Sequence, residues 1–203
     1  MRARRKWLLP TLHFASGLAA LGAATDFRPA SFRLSAPQRS TEVYLSQPFH
    51  LVSQNGKSVT EQDFRTRPTA WFFGFTHCPD ICPTTLADLT AVLKRLGSDG
   101  DRLNVVFVTV DPERDTPEVL TDYLSSFDPR IVGLTGERGE IEAMAKGYFV
   151  HQAKVRLPNG DYTMEHTSKV LLTGRDGKFE GTIDAQDPIE EQSEKLRRLV
   201  RQR

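Results

Sequence analysis

Cysteine is scarce in this 203-residue chain, which has only two, Cys78 and Cys82. Two cysteines do not make the disulfide scaffold of a small secreted domain, and a chain of this length does not need one, since about 150 residues bury a sufficient core. Net charge is lacking as well: lysine plus arginine number 27 against 26 aspartate plus glutamate, so no global field draws the protein to nucleic acid or to an acidic surface. There is no internal repeat and no low-complexity run, and the remaining composition is that of an ordinary globular domain. A bacterial lipoprotein signal is excluded, because no cysteine lies near the N-terminal region where one would be cleaved.

Charge is also absent from Trp7 to Ala24, directly after Arg2, Arg4, Arg5 and Lys6. A basic head followed by an uncharged run is an export pattern. The run is short for a membrane span and is interrupted by Pro10 and His13, so residues 1–24 are read as a signal peptide or a membrane anchor. Residues 25–46 mix prolines, arginines and small residues without helical or strand period, and are expected to tether the membrane to a domain at 47–203.

Within that domain the first feature is Asn55-Gly56 between two short apolar stretches, the dipeptide that most readily takes the positive φ angles of a tight hairpin turn. Thr69 to Thr76 is too short and too aromatic for a free helix and predicts a strand buried on both faces. From Pro83 the period changes: Leu86, Leu89, Leu93 and Leu96 fall at helical spacing, with Gly97 as a stop. Leu103 to Val110 predicts a second buried strand, so that strand, helix and strand form a right-handed crossover. Thr116-Pro117-Glu118 opens another helix, Ile141 to Gly147 a short one, and Lys169–Thr173 with Phe179–Ile183 a second hairpin. The chain closes with an amphipathic helix after Pro188.

The chemistry lies in Phe75-Thr76-His77-Cys78-Pro79-Asp80-Ile81-Cys82-Pro83, which sets two thiols at the junction of a buried strand and a helix N-terminus. Unpaired N–H groups and the helix dipole favour thiolate there, the form that attacks disulfides and binds soft metals. Three intervening residues still permit a disulfide, but they also let both sulfurs turn toward one ion. Two thiolates suit Cu(I), whereas Zn(II) ordinarily takes four ligands and no further cysteine exists. The alternatives at this point are a plain structural disulfide and a thiol-disulfide reductase without a physiological metal. A peroxidase of the peroxiredoxin kind lacks its motif, since Phe72 stands four residues ahead of Thr76 where a proline is needed.

A histidine would complete a metal site, and five compete. His13 lies in the leader and His50 in the first hairpin. His77 adjoins Cys78 on a strand end and is expected to point away from it, as a modulator of thiol pKa. His151 follows Tyr148-Phe149-Val150 and is read as a residue on a strand or, alternatively, as a solvated surface residue. His166 sits in Asp161-Tyr162-Thr163-Met164-Glu165-His166-Thr167-Ser168, read as a polar loop ahead of a strand, the kind of place that carries ligands.

Taken together, Phe72 to Leu86, Val108-Thr109-Val110-Asp111-Pro112-Glu113-Arg114-Asp115-Thr116-Pro117 and Tyr162 to Thr167 resemble, in order and spacing, the Sco/SenC family of copper metallochaperones. The resemblance spans residues 47 to 200. It implies an α/β, thioredoxin-like fold with extra β-hairpins, a central mixed sheet flanked by helices, and a membrane anchor. It further implies one copper ion per chain, Cu(I) and/or Cu(II), held by Cys78, Cys82 and His166. The implied role is assembly of the binuclear copper centre of cytochrome c oxidase, by delivery of copper, by reduction of the receiving cysteines, or by both. Its partners would be the copper-receiving subunit of the oxidase, other copper carriers and thiol-disulfide reductases, at the outer face of the inner membrane or in the periplasm. Glu165 stands where the family often has aspartate, and Arg65 to Ala70 is more polar than usual; neither touches a proposed ligand. Asp111 and Asp115 read as turn and cap residues, with support of the site by Asp111 as the alternative.

Overall fold

The computed structural model describes residues 42–45 and 47–202. The expected leader at 1–24 and most of the expected tether lie outside them. Two hydrophobic strands form the centre, β3 (Thr69–Gly74) and β4 (Asn104–Thr109). They run parallel, with Thr69 opposite Asn104 and Gly74 opposite Thr109. Every residue of β3 is buried, as a strand covered on both faces requires. The polar group at its centre is satisfied: the Trp71 indole N–H donates to Thr173 Oγ1 at 3.0 Å.

Around this pair the sheet grows to seven strands. The first hairpin, β1 (His50–Ser53) and β2 (Ser58–Thr60), turns at Asn55-Gly56 as its sequence predicts, with Gly56 at φ +74°. A strand that the sequence reading passed over, β5 (Ile131–Thr135), lies between β1 and β4, parallel to β4 and antiparallel to β1. Beyond a separate pair, β6 (Gln152–Arg156) and β7 (Tyr162–His166), the strands β8 (Val170–Thr173) and β9 (Phe179–Ile183) complete the far edge. The order is β2-β1-β5-β4-β3-β8-β9, with β6 and β7 forming a two-stranded sheet of their own.

Among the described residues four α-helices accompany the sheet. α1 (Ile81–Leu96) buries Leu86, Leu89, Leu93 and Leu96 and ends at Gly97, as expected, while Pro83 lies in its first turn. α2 (Pro117–Leu124) is capped by Thr116, whose side chain accepts the Val119 N–H. α3 (Arg138–Gly147) starts three residues before the helix expected at Ile141. α4 (Ile189–Arg201) buries Leu196, Leu199 and Val200 and packs beside α1. The units β3-α1-β4 and β8-β9-α4 form the thioredoxin-like core, so the α/β fold with added hairpins is as the sequence implied. Among the described residues no helix is long and apolar enough to cross a membrane.

The edge of the domain falls earlier than residue 47. Leu45 is buried, its N–H donates to Gly177 O at 2.8 Å, and Val43 O accepts from Phe179 N–H at 2.8 Å. Residues 43–45, placed in the tether on composition, are instead docked on the β8–β9 turn. Composition could not show this, because the partner strand is more than 130 positions away in the chain.

Between α2 and β5 the chain turns on Asp128, which is 6% exposed. Its carboxylate accepts Arg130 Nε and Nη2, both at 2.8 Å, and the Arg130 backbone N–H at 3.0 Å. The Arg130 guanidinium holds this carboxyl below its ordinary value of 3.8. A carboxyl with a depressed folded pKa stabilises the fold above its unfolded pKa and loses that contribution as pH falls. Asp128→Asn is therefore expected to cost about 1.5–3 kcal/mol at neutral pH. In urea denaturation the gap to the parent should narrow as pH drops below about 4.

Candidate metal centre

Parallel pairing places the C-terminal ends of β3 and β4 side by side, and Val110 N–H donates to Gly74 O at 2.7 Å. The segments that follow, 75–80 and 111–116, therefore meet at one edge of the sheet, where open α/β sheets gather their functional groups. The first carries Cys78 and leads into α1, which carries Cys82 in its opening turn.

The two cysteines occupy unlike settings. Cys78 is partly exposed, and its Sγ accepts the Cys82 backbone N–H at 3.4 Å, one of the donors that a helix start leaves unpaired. Cys82 is fully buried. Its Sγ lies over Gly74, where an added Cβ would come within 2.8 Å of it and 2.7 Å of Phe107 Cε2. Burial drives the Cys82 thiol pKa upward, and the Phe75 backbone only partly opposes this. The expectation that the helix N-terminus lowers the pKa of the pair thus fails for Cys82: loss of water around its sulfur outweighs the local amides. Both cysteines are free thiols, not a disulfide.

His166 reaches the same place from another direction. It is not in a loop, as its polar surroundings implied, but is the last residue of β7, opposite Gln152 of β6. Thr167 N–H donates to His151 O, and His151 N–H to Thr167 Oγ1, both at 3.0 Å, closing that end of the hairpin. The ring stands edge-on to Phe75 and Phe72, with centroids 5.7 and 6.4 Å away. Nδ1 lies 3.0 Å from Thr167 O, which can only accept, so Nδ1 carries the proton. On that tautomer Nε2, 3.5 Å from Cys82 Sγ, keeps the lone pair that a metal would take. Burial lowers the pKa of His166, which keeps the ring neutral and able to bind a metal.

The Cys78 and Cys82 sulfurs and a His166 ring nitrogen lie within 4.8 Å of one another. Bonds of about 2.3 Å to sulfur and 2.0 Å to nitrogen put such ligand atoms roughly 3.5–4 Å apart around one ion. The three donors need only small movements to share one. No other group of three His, Cys, Asp or Glu side chains among the described residues gathers in this way. His50, His77 and His151 are all exposed and outside it. His77 Nδ1 instead faces Thr76 Oγ1 at 3.1 Å.

Two residues read as turn formers are more deeply involved. Asp115 is fully buried and accepts Thr76 N–H at 3.0 Å and the Thr76 and Thr109 hydroxyls at 2.6 Å each. Asp111 is fully buried too, accepting Arg114 Nε at 2.5 Å and the Tyr162 hydroxyl at 2.9 Å. Arg114 and Tyr162 were not singled out in the sequence. The signal for Arg114 was the acidic and basic cluster of Asp111 to Asp115, placed directly after a mostly apolar strand.

The SCO1/SenC family model matches residues 37–201. Protein SCO2, mitochondrial, of Saccharomyces cerevisiae is 37% identical over 166 residues, covering 78% of this chain and 55% of the yeast protein. The chain thus spans little more than half of that relative. The structure of Bradyrhizobium japonicum ScoI with copper bound is 45% identical, with a TM-score of 0.72, over 76% of this chain and 98% of that one. BsSco, described as a member of the Sco family of cytochrome c oxidase assembly proteins with a disulfide switch, is 27% identical with a TM-score of 0.62, over 77% and 94% of the two chains.

The asymmetry of the cysteines is open to direct measurement. In the reduced, metal-free protein at pH 7.5, iodoacetamide should modify Cys78 at least about ten times faster than Cys82, because reaction needs an exposed thiolate. Peptide mass spectrometry reads the ratio, and denaturant should bring it near one. Gly74→Ala forces a methyl group between Cys82 Sγ and Phe107 and is expected to cost about 1–3 kcal/mol in denaturant unfolding.

Proposed function

Because the chain belongs to the SCO1/SenC family, we propose that it is a copper metallochaperone: it carries one copper ion on Cys78, Cys82 and His166 and passes it to the copper-receiving subunit of cytochrome c oxidase. The observation that carries this reading is the donor set itself, two cysteine sulfurs and one imidazole within 4.8 Å, at the mouth of a fold shared with a copper-bound ScoI. Soft sulfur favours Cu(I), and the imidazole makes Cu(II) tolerable, so one site accepts either state. Cys78 is the more accessible of the two sulfurs. An incoming sulfur or imidazole of the acceptor can reach the ion from that side while Cys82 and His166 still hold it.

Other copper carriers would supply the ion, and thiol-disulfide reductases would keep the cysteines reduced. The basic head and uncharged run of residues 1–24 support export, with the domain tethered at the outer face of the inner membrane or released into the periplasm. A second reading, a tethered thiol-disulfide reductase using Cys78 and Cys82 alone, is favoured by one observation: the two free thiols adjoin one another at a helix start. That reading has no use for His166.

Copper titration of the reduced protein separates the two. One equivalent each of Cu(I), without oxygen, and of Cu(II) should bind, the latter with a sulfur-to-copper charge-transfer band. Serine at Cys78 or Cys82 should abolish both. His166→Ala should weaken Cu(II) by about 10–100-fold and leave Cu(I) largely in place. Binding of either ion by the parent no tighter than by a generic dithiol would favour the reductase.

A further inference from the structure

The hairpin that carries His166 is not part of the main sheet: β6 and β7 pair only with each other. Something else must hold it at the right distance from Cys78 and Cys82. We propose that the segment Asp111–Asp115 is a clamp that sets this distance, with one end gripping the cysteine segment and the other gripping the histidine hairpin. The proposal rests on the copper-site reading above and adds residues that position the ligands without touching the ion.

Asp115 is the grip on the cysteine side. Its carboxylate takes the backbone N–H and the hydroxyl of Thr76, two residues before Cys78. Asp111 and Arg114 are the grip on the histidine side. The Tyr162 hydroxyl donates to Asp111 Oδ1, and Arg114 Nη1 donates to Tyr162 O at 3.1 Å. The Arg114 guanidinium stands 3.8 Å from the centroid of the Tyr162 ring, and Lys154 Nζ stands 3.9 Å from it. Lys154 Nζ is in turn 2.5 Å from Glu113 Oε2. Asp111, Glu113 and Arg114 therefore all bind the β6–β7 pair, which runs unbroken from Tyr162 to His166.

The two grips move as one body. Arg114 N–H and Asp115 N–H both donate to Asp111 O, at 3.1 and 3.0 Å, and Asp111 N–H donates to Thr109 Oγ1 at 2.9 Å. This ties the turn to the end of β4. Fully burying two carboxylates is an expensive way to close a turn, and apolar packing of similar volume would often be more stable. What a charged, hydrogen-bonded turn supplies and apolar packing does not is direction, because each contact here has one donor and one acceptor in a fixed line. Ligand spacing in a metal site demands that kind of constraint.

Tyr162→Phe tests the clamp, since it keeps the ring between the two cations and removes only the bond to Asp111. Cu(II) affinity should fall by about tenfold or more, while Cu(I), held by the cysteines, changes by less than about threefold. The imidazole nitrogen coupling in the Cu(II) electron paramagnetic resonance spectrum should weaken. In the metal-free protein, amide hydrogen exchange should accelerate in 152–166 and not in α1. Lys154→Gln, at the exposed rim of the same contact, should shift Cu(II) affinity the same way by about two- to fivefold, so a poorly folded Tyr162 variant does not end the test. Unchanged Cu(II) affinity and unchanged hairpin exchange in the folded variants would overturn the clamp. If the parent binds no copper, the site reading fails instead, and the clamp then stands or falls on hairpin exchange and the His166 ring nitrogen shifts of the metal-free variants.

Discussion

The parallel pairing of β3 with β4 is the constraint from which the rest of the molecule follows. Parallel strands need a crossover, and the crossover is α1, so the chain leaves β3 through a short segment that must start a helix at once. Both cysteines lie in that passage. The same pairing ends the two strands level with one another and leaves the loop after β4 beside the loop after β3. Neither loop has a ladder of its own, and the buried Asp115 carboxylate satisfies the donors that result. Without the ladder, Thr76 and Thr109 would have no reason to share an acceptor.

Much of this was legible in the chain itself. The short aromatic run of β3 and the valine run of β4 read as strands buried on both faces, the leucine stripe of α1 carries a helical period, and the Asn55-Gly56 turn names its own geometry. The two thiols and the histidine were also legible, the latter through the resemblance of three separated motifs. Other features were not. β5 is short and carries Gly133 at its centre, which breaks the pattern of a strand. The hairpin of β6 and β7 buries only Met164, so its residues show little of the alternation that marks a half-buried strand, and they read as a loop. The burial of Cys82 depends on the absence of a side chain at Gly74, a contact between residues that belong to different elements. The ties of Asp111 to Tyr162 and of Asp115 to Thr76 span 51 and 39 positions. No local pattern encodes a pairing at that range.

The difference between the two thiols follows from helical geometry. Three intervening residues put Cys78 ahead of the helix and Cys82 in its first turn, facing inward toward the sheet. One sulfur is therefore a surface group that accepts a helix-start amide, and the other is a core group that happens to adjoin an imidazole. A pair with equal exposure would offer an ion two interchangeable handles. This pair is unequal, one sulfur partly exposed and the other in a dry setting, so a soft metal bound as proposed would meet them in that order.

The bond from His166 Nδ1 to Thr167 O has a kinetic side. A free imidazole samples two tautomers and rotates, so a metal arriving at it must wait for the right face. Here the ring stands edge-on to Phe72 and Phe75 with Nδ1 against a carbonyl, which favours one tautomer and one orientation. A metal taken up as proposed would meet a ring already turned toward it, with little reorientation left to wait for.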